Sequence, residues 1–93
     1  MRYRVYILRC SDGSYYVGRT DDLEARIRCH GEGHGPVYTR VRLPVTLAYS
    51  EGFPTLRLAM ARERQLKRWS HRKKSALVKG DKSLLRDLSR SRD

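Results

Sequence analysis

The run RYRVYILRCSDGSYYVGRT, residues 2–20, decides the architecture. Arg2 to Cys10 alternates loosely and is rich in aromatic and β-branched side chains, the make-up of a strand, and Tyr15 to Thr20 repeats it. Between them, Ser11-Asp12-Gly13-Ser14 is a hairpin signal, because Gly13 can adopt the positive φ of a tight turn. Loop length then sets which side chains share a face, since strands alternate with period two. A two-residue Asp12-Gly13 turn pairs Arg9 with Tyr16 and puts Tyr6 and Tyr16 on opposite faces. A three-residue loop, Ser11-Asp12-Gly13, pairs Leu8 with Tyr16 and Tyr6 with Gly18 instead. Tyr6, Leu8, Tyr16 and Gly18 then share a face, and no Gly18 side chain crowds Tyr6. The three-residue loop, with Gly13 left-handed, is the expectation.

Outward from the hairpin, Asp21 followed by Glu24 reads as a helix N-cap and its partner. The helix is expected from about Asp22 to His30, stopping at Gly31, with Leu23, Arg26, Ile27 and His30 on one face. Gly31 to Leu43, rich in glycine, reads as an irregular basic loop. Pro44 leads into a third strand, Val45 to Ser50. After Pro54 a long helix is expected over roughly Thr55 to Trp69, with Leu56, Ala59, Met60, Glu63, Leu66 and Lys67 at helical spacing. Ser70 can cap a shorter helix through about Lys79. Beyond Gly80 the tail is mostly polar, although Leu84, Leu85 and Leu88 allow another turn or two of helix. Three strands and two or three helices predict an α/β (α+β) sandwich, with a domain over 1–79 and a basic polar tail over 80–93.

The chain has 93 residues, room for a single domain, and 39% of them are hydrophobic, enough for a modest core. Lys and Arg number 21 against 10 acids, a formal net charge of +11. Such an excess makes nucleic acid the expected partner, although a membrane surface or an acidic protein would meet the same field. No apolar run approaches the roughly 20 residues needed to cross a bilayer. Arg2 and Arg4 interrupt the one apolar run near the start, unlike a signal peptide. The expected location is cytoplasmic, nucleoid-associated when bound to DNA. Cys10 and Cys29, with no CxxC spacing, make no zinc site and are expected as reduced thiols.

Two charged residues fall where core is expected. Glu63 lies in the apolar stripe of the long helix, and Arg26 sits between Leu23 and Ile27 on the first helix's inward side. An unpaired buried charge costs several kcal/mol, so each group needs a partner or a task. Glu63 could pair with Lys67 at i+4, and Arg26 could reach its head group to the surface. Alternatively, a carboxylate at a partly dry sheet–helix junction is a hard oxygen ligand for Mg²⁺ or Mn²⁺. An arginine beside it could clamp a phosphate, and a tyrosine could orient or deprotonate a water. A nearby metal and arginine would both favour the phenolate. These parts suit phosphodiester hydrolysis better than acyl transfer.

Val5-Tyr6-Ile7 and, ten positions on, Tyr16-Val17-Gly18 resemble the paired triplets of the GIY-YIG nucleases. Thr20 to His30 resembles that family's first helix, with its arginine and later histidine, and Glu63 within Ala61 to Lys67 looks like its metal-binding glutamate. The likeness runs from about Arg2 to Val78 and is to small stand-alone bacterial members. It implies a three-stranded antiparallel sheet flanked by helices, a single divalent metal and hydrolysis of a DNA phosphodiester. By position, Glu63 would hold Mg²⁺ or Mn²⁺ and Arg26 would bind the scissile phosphate. Tyr16 would be the base or water-orienting group, with Tyr6 beside it. His30 would assist proton transfer or steady a tyrosine, unless it is an ordinary hydrogen-bonded histidine. Val5 and Val17 depart from the motifs but keep aliphatic strand positions.

Arg19 could add a phosphate contact or be a solvated strand-end charge. Tyr38, Arg40 and Arg42 in the basic loop are candidates for DNA contact, and a solvated loop is the alternative. Arg62, Arg64, Arg68, Arg72, Lys73 and Lys74, with Lys67, suggest a basic belt for backbone phosphates, while Trp69 reads as packing. An endonuclease for branched, flapped or single-stranded DNA in repair or recombination is the leading reading. A nucleic-acid-binding module with a weak or unused site, targeted by a partner protein, is the second. A basic RNA-binding or ribosome-associated protein explains the charge but not Glu63.

Overall fold

The computed structural model describes residues 1–90. Strands β1 (Tyr3–Arg9), β2 (Tyr15–Thr20) and β3 (Thr46–Phe53) form an antiparallel sheet in the order β2-β1-β3. Five helices accompany it: α1 (Leu23–Gly31), α2 (Val37–Arg40), α3 (Leu56–Lys67), α4 (His71–Lys79) and α5 (Lys82–Arg90).

The hairpin takes the three-residue loop. Leu8 pairs with Tyr16 and Tyr6 with Gly18, while Gly13 sits at φ 84°. Its turn is closed by the Cys10 amide donating to Ser14 O and the Gly13 amide to Cys10 O, both at 2.9 Å. One face of the sheet therefore carries Val5, Ile7, Tyr15 and Val17, which pack with Ala59 and Leu66 of α3. Trp69, Leu77 and Val78 extend this cluster. On the opposite face lie Tyr6, Leu8, Tyr16 and Gly18, met by His30 of α1. Between Ile7 and Leu8 the β1–β3 register slips by one residue, and the bulge lets Ala48 and Tyr49 both pack on the core cluster.

Several boundaries differ from the sequence reading. Helix α1 is capped by Asp22, not Asp21: Asp22 Oδ1 accepts from the Ala25 amide at 3.1 Å. Thr20 Oγ1 accepts the Asp22 amide at 3.0 Å, which holds the cap one residue later than expected. The stretch read as an irregular loop contains α2, and β3 continues three residues past Ser50. Helix α3 buries Ala59 and Leu66 with Arg62 and Glu63 half-buried between them, whereas Leu56 and Met60 stay 41% and 39% exposed. A three-stranded sheet is narrow, so the stripe it covers on a helix is narrow too. Thr55 caps α3 and Ser70 caps α4 as a side-chain acceptor each, and Gly80 ends α4 at φ 70°. The polar tail is more ordered than its composition suggests: Asp81 Oδ1 accepts from the Leu84 amide at 3.0 Å, and α5 packs on α4 with Leu88 buried. Residues 91–93 of that tail lie outside the described residues.

Candidate active site

Tyr6 comes from the central strand and is only 1% exposed, so its hydroxyl needs internal partners. It lies 2.9 Å from His30 Nε2, and Arg26 Nε donates to it at 3.4 Å. His30 Nδ1 is 2.9 Å from Thr39 Oγ1, whose own hydroxyl donates to Pro36 O at 3.2 Å. One proton assignment satisfies every group in this chain. Thr39 spends its hydroxyl hydrogen on Pro36 O, so His30 Nδ1–H donates to Thr39. Nε2 is then an acceptor, and Tyr6 O–H donates to it. Arg26 and His30 stand one helical turn apart on α1, which is how both reach the same phenol.

The electrostatics follow from burial. Desolvation lifts the Tyr6 pKa above the ordinary tyrosine value, and this exceeds the opposing pull of the Arg26 hydrogen bond and charge. Arg26 does favour the phenolate, as expected of an arginine beside a tyrosine, but burial outweighs it and the phenol stays protonated. Burial, with the Arg26 charge second, holds the His30 pKa below the ordinary value and keeps the ring neutral. Because the folded pKa is the lower one, the unfolded chain takes up the proton first as pH falls. His30 therefore makes stability decline as pH drops below about 6.5, the ordinary histidine value. Thermal melts from pH 7.5 to 5.5 should show this slope, and His30→Gln should flatten it; equal slopes would refute the assignment of a neutral ring.

Tyr16 lies on the same sheet face but on the edge strand. Its ring centroid is 5.4 Å from that of His30 and 6.0 Å from that of Tyr38. It lines an open cavity of about 340 Å³ together with Tyr38, Lys67 and Lys74. Arg42 stacks its guanidinium 3.9 Å over the Tyr38 ring, donates to Tyr38 O at 3.0 Å and pairs with Asp12 at 3.0 Å. Asp12 in turn accepts from the Ser14 amide and hydroxyl, which holds its carboxyl below the usual range; Arg42 adds to the same effect. Arg42 is thus committed to joining the hairpin turn to α2.

Glu63 projects from α3, on the sheet's other face, at the level where β2 ends. Its side chain is 16% exposed, and each oxygen has a cation: Arg19 Nε lies 3.0 Å from Oε1, and Lys67 Nζ 3.1 Å from Oε2. The i+4 pairing expected from sequence is present, and Arg19 is added to it. Burial pushes the carboxyl pKa up, but hydrogen bonds and charge from Arg19 and Lys67 outweigh it, so the net shift is downward and Glu63 is ionised. Arg19 also lines a cavity of about 460 Å³ shared with Arg26, Tyr3, Thr20, Asp21 and Leu56. Groups from the two faces are thus linked around β2 through Arg19: it pairs with Glu63 on one side and shares a cavity with Arg26, the partner of Tyr6, on the other.

Among the described residues no three His, Cys, Asp or Glu side chains gather as a metal cage. A single ionised carboxylate still fits Mg²⁺ or Mn²⁺, which are held through one or two carboxylates with water and phosphate completing the shell. Arg40, Arg64, Arg68 and Arg72 stand exposed on the surface. Arg62 and Lys73 leave the expected belt: Arg62 pairs with Glu51, and the two cations lie 5.2 Å and 4.3 Å from the Trp69 ring centroid. That ring packs against the core, as read from sequence. Thr39 was not foreseen; it sits in a segment without periodicity, and no sequence signal links it to His30. Both cysteines are free thiols. No helix of the described residues is long and apolar enough to cross a membrane.

Comparison with known proteins agrees with this fold. The sequence profile of the GIY-YIG catalytic domain matches residues 2–76. A UPF0213 protein of Bacillus pumilus is 47% identical over 73 residues, covering 78% of this chain and 74% of that protein. Another, from Halobacterium salinarum, is 45% identical over 75 residues, covering 81% and 97%. The solution structure of a UPF0213 protein from Bacillus halodurans superposes with a TM-score of 0.56 at 46% identity, covering 85% of this chain and 84% of that one. A solution structure of a protein from E. faecalis gives 0.58 at 34% identity, covering 84% and 83%.

Proposed function

The chain belongs to the GIY-YIG family, a nuclease superfamily whose substrates are nucleic acids, and on that basis we propose that it is a metal-dependent DNA endonuclease. The supporting observation is that Arg19 links an ionised carboxylate, Glu63, to the cavity of Arg26, whose partner Tyr6 is held against a neutral imidazole. Glu63 would hold Mg²⁺ or Mn²⁺ by a carboxylate oxygen. When bound, the ion supplies Lewis-acid polarisation of a phosphoryl oxygen.

The remaining work falls to the chain's own side chains. Arg26 donates to the scissile phosphate and offsets its developing charge, its Nε still anchored on Tyr6. Tyr16, which opens onto a cavity, is the better placed tyrosine to orient or deprotonate a water. Tyr6 is buried and its proton is committed to His30, so its task is to fix Arg26 and His30 in place. Tyr38, held by Arg42, offers a ring for base stacking beside Tyr16. Arg19, Arg40, Lys67 and Arg68 contact backbone phosphates, with Arg42 acting through Tyr38. Branched, flapped or single-stranded DNA, met during repair or recombination in the cytoplasm, is the substrate this small reading surface suits, with a partner protein to target it.

A second reading, a nucleic-acid-binding module with an unused site, draws on one observation: both Glu63 oxygens are already neutralised by cations. Incubating the protein with labelled single-stranded, duplex and flapped DNA, with Mg²⁺, Mn²⁺ or chelator, separates the two. Cleavage that disappears with chelator is expected, fastest on one of the non-duplex substrates. Salt-sensitive binding with no cleavage under any condition would leave the binding module standing.

A further inference from the structure

The Glu63 carboxylate is bridged by two cations from different elements, and the two are not equivalent. Lys67 lies one turn along the same helix and is 54% exposed, so it stays within reach of Glu63 wherever the carboxylate points. Arg19 comes from β2 across the junction, is 36% exposed, binds through Nε and also lines the cavity it shares with Arg26. Two arginines line that cavity, alongside Asp21, and guanidinium is the side-chain group suited to a phosphate. A divalent ion arriving at Glu63 with Arg19 and Lys67 both in place would meet two positive charges at close range, a steeply unfavourable encounter.

Resting on the reading that Glu63 holds the metal, we propose that Arg19 is a cationic latch on that site. It occupies the carboxylate oxygen a divalent ion needs, and it releases that oxygen when a phosphate draws Arg19 into the cavity beside Arg26. Arg19 is a positioning residue in this scheme. The metal binds weakly to the free protein, and metal and phosphate strengthen one another, as linkage requires of any two ligands that displace the same contact. Lys67 remains with the other oxygen in both states.

Two measurements on the full chain test this without cleavage as the readout. First, Mn²⁺ binding is followed through the free-ion electron paramagnetic resonance signal. Arg19→Gln should bind Mn²⁺ about three- to tenfold more tightly than wild type, the range set by removing one competing, partly exposed charge. Glu63→Gln should lose that site. Second, DNA binding is measured in chelator across salt concentrations. Arg19→Gln should lower the salt slope of the wild type by about one, because phosphate draws Arg19 off Glu63 and into contact. In a Glu63→Gln background the same substitution should lower the slope by about one, the loss of one phosphate contact. Circular dichroism confirms that each variant folds.

The outcomes separate the two ideas. If Glu63→Gln binds Mn²⁺ as wild type does, or if no variant binds it through Glu63, the metal assignment fails and takes the latch with it. If binding depends on Glu63 but is the same in wild type and Arg19→Gln, the latch alone is overturned. A salt slope that Arg19→Gln leaves unchanged also overturns it, since Arg19 would then stay on Glu63 and never reach phosphate.

Discussion

Glu63→Ala is expected to abolish cleavage while leaving DNA binding intact or slightly stronger. Nothing else near Glu63 supplies a cluster of hard oxygen ligands among the described residues, so no neighbour can take over the ion. Losing the ion removes charge stabilisation worth on the order of a thousandfold in rate, about 4 kcal/mol of barrier. Folding should change little, because the carboxylate's partners, Arg19 and Lys67, are both substantially exposed and exposed ion pairs contribute about 1 kcal/mol or less. The protein also loses a negative charge from a basic surface, and the two released cations face phosphate, which favours retained or tighter binding. The measurement is single-turnover cleavage and equilibrium binding on the same oligonucleotide. A variant that cuts within a few fold of wild type would remove Glu63 from the chemistry.

The second large effect is expected from a methyl group. A Cβ on Gly18 would overlap Cζ and the hydroxyl of Tyr6, which crosses the space opposite on β1. Tyr6 cannot yield easily: it is 1% exposed and tied to His30 and Arg26. Overpacking of this kind costs about 1–3 kcal/mol, and about 2 kcal/mol in a domain of this size lowers Tm by roughly 10 °C. Displacing Tyr6 by even ~1 Å also unseats Arg26 and His30, so cleavage should fall about a hundredfold. Gly13→Ala is the matching control. Gly13 has φ 84° and open space around it, so a methyl there strains the turn by roughly 1 kcal/mol but should leave the rate unchanged. Gly18→Ala melting and cutting like wild type would show that the Tyr6 ring is free to move aside.

Gly18 also shows how far the residues alone could go. The hairpin loop was legible because Ser11-Asp12-Gly13 offers only two registers, and only one puts both tyrosines on a common face. The family resemblance pointed to Tyr6, Tyr16, Arg26, His30 and Glu63, and local periodicity already set Arg26 and Glu63 apart as charges among apolar neighbours. The start of α3 was readable from Pro54 and that of α4 from Ser70 as a cap, and in the structure Thr55 and Ser70 each accept a first-turn amide. The cap of α1 was misplaced by one because Asp21 and Asp22 are chemically alike, and only Thr20's hydroxyl, accepting the Asp22 amide, distinguishes them.

What the sequence by itself determined is therefore what short-range pattern carries: the hairpin pairing of β1 with β2 and its register, the starts of α3 and α4, net charge and the unusual residue types on the inward stripes. Tertiary structure alone decided which partners those residues meet. Thr39 against His30, Arg19 on Glu63, Arg42 clamped between Asp12 and Tyr38, and Lys73 laid over Trp69 all join residues from separate elements. Their protonation follows from the same source. Tyr6 remains a phenol and His30 a neutral imidazole because desolvation depends on what surrounds a group in space, and one-dimensional spacing holds no record of that.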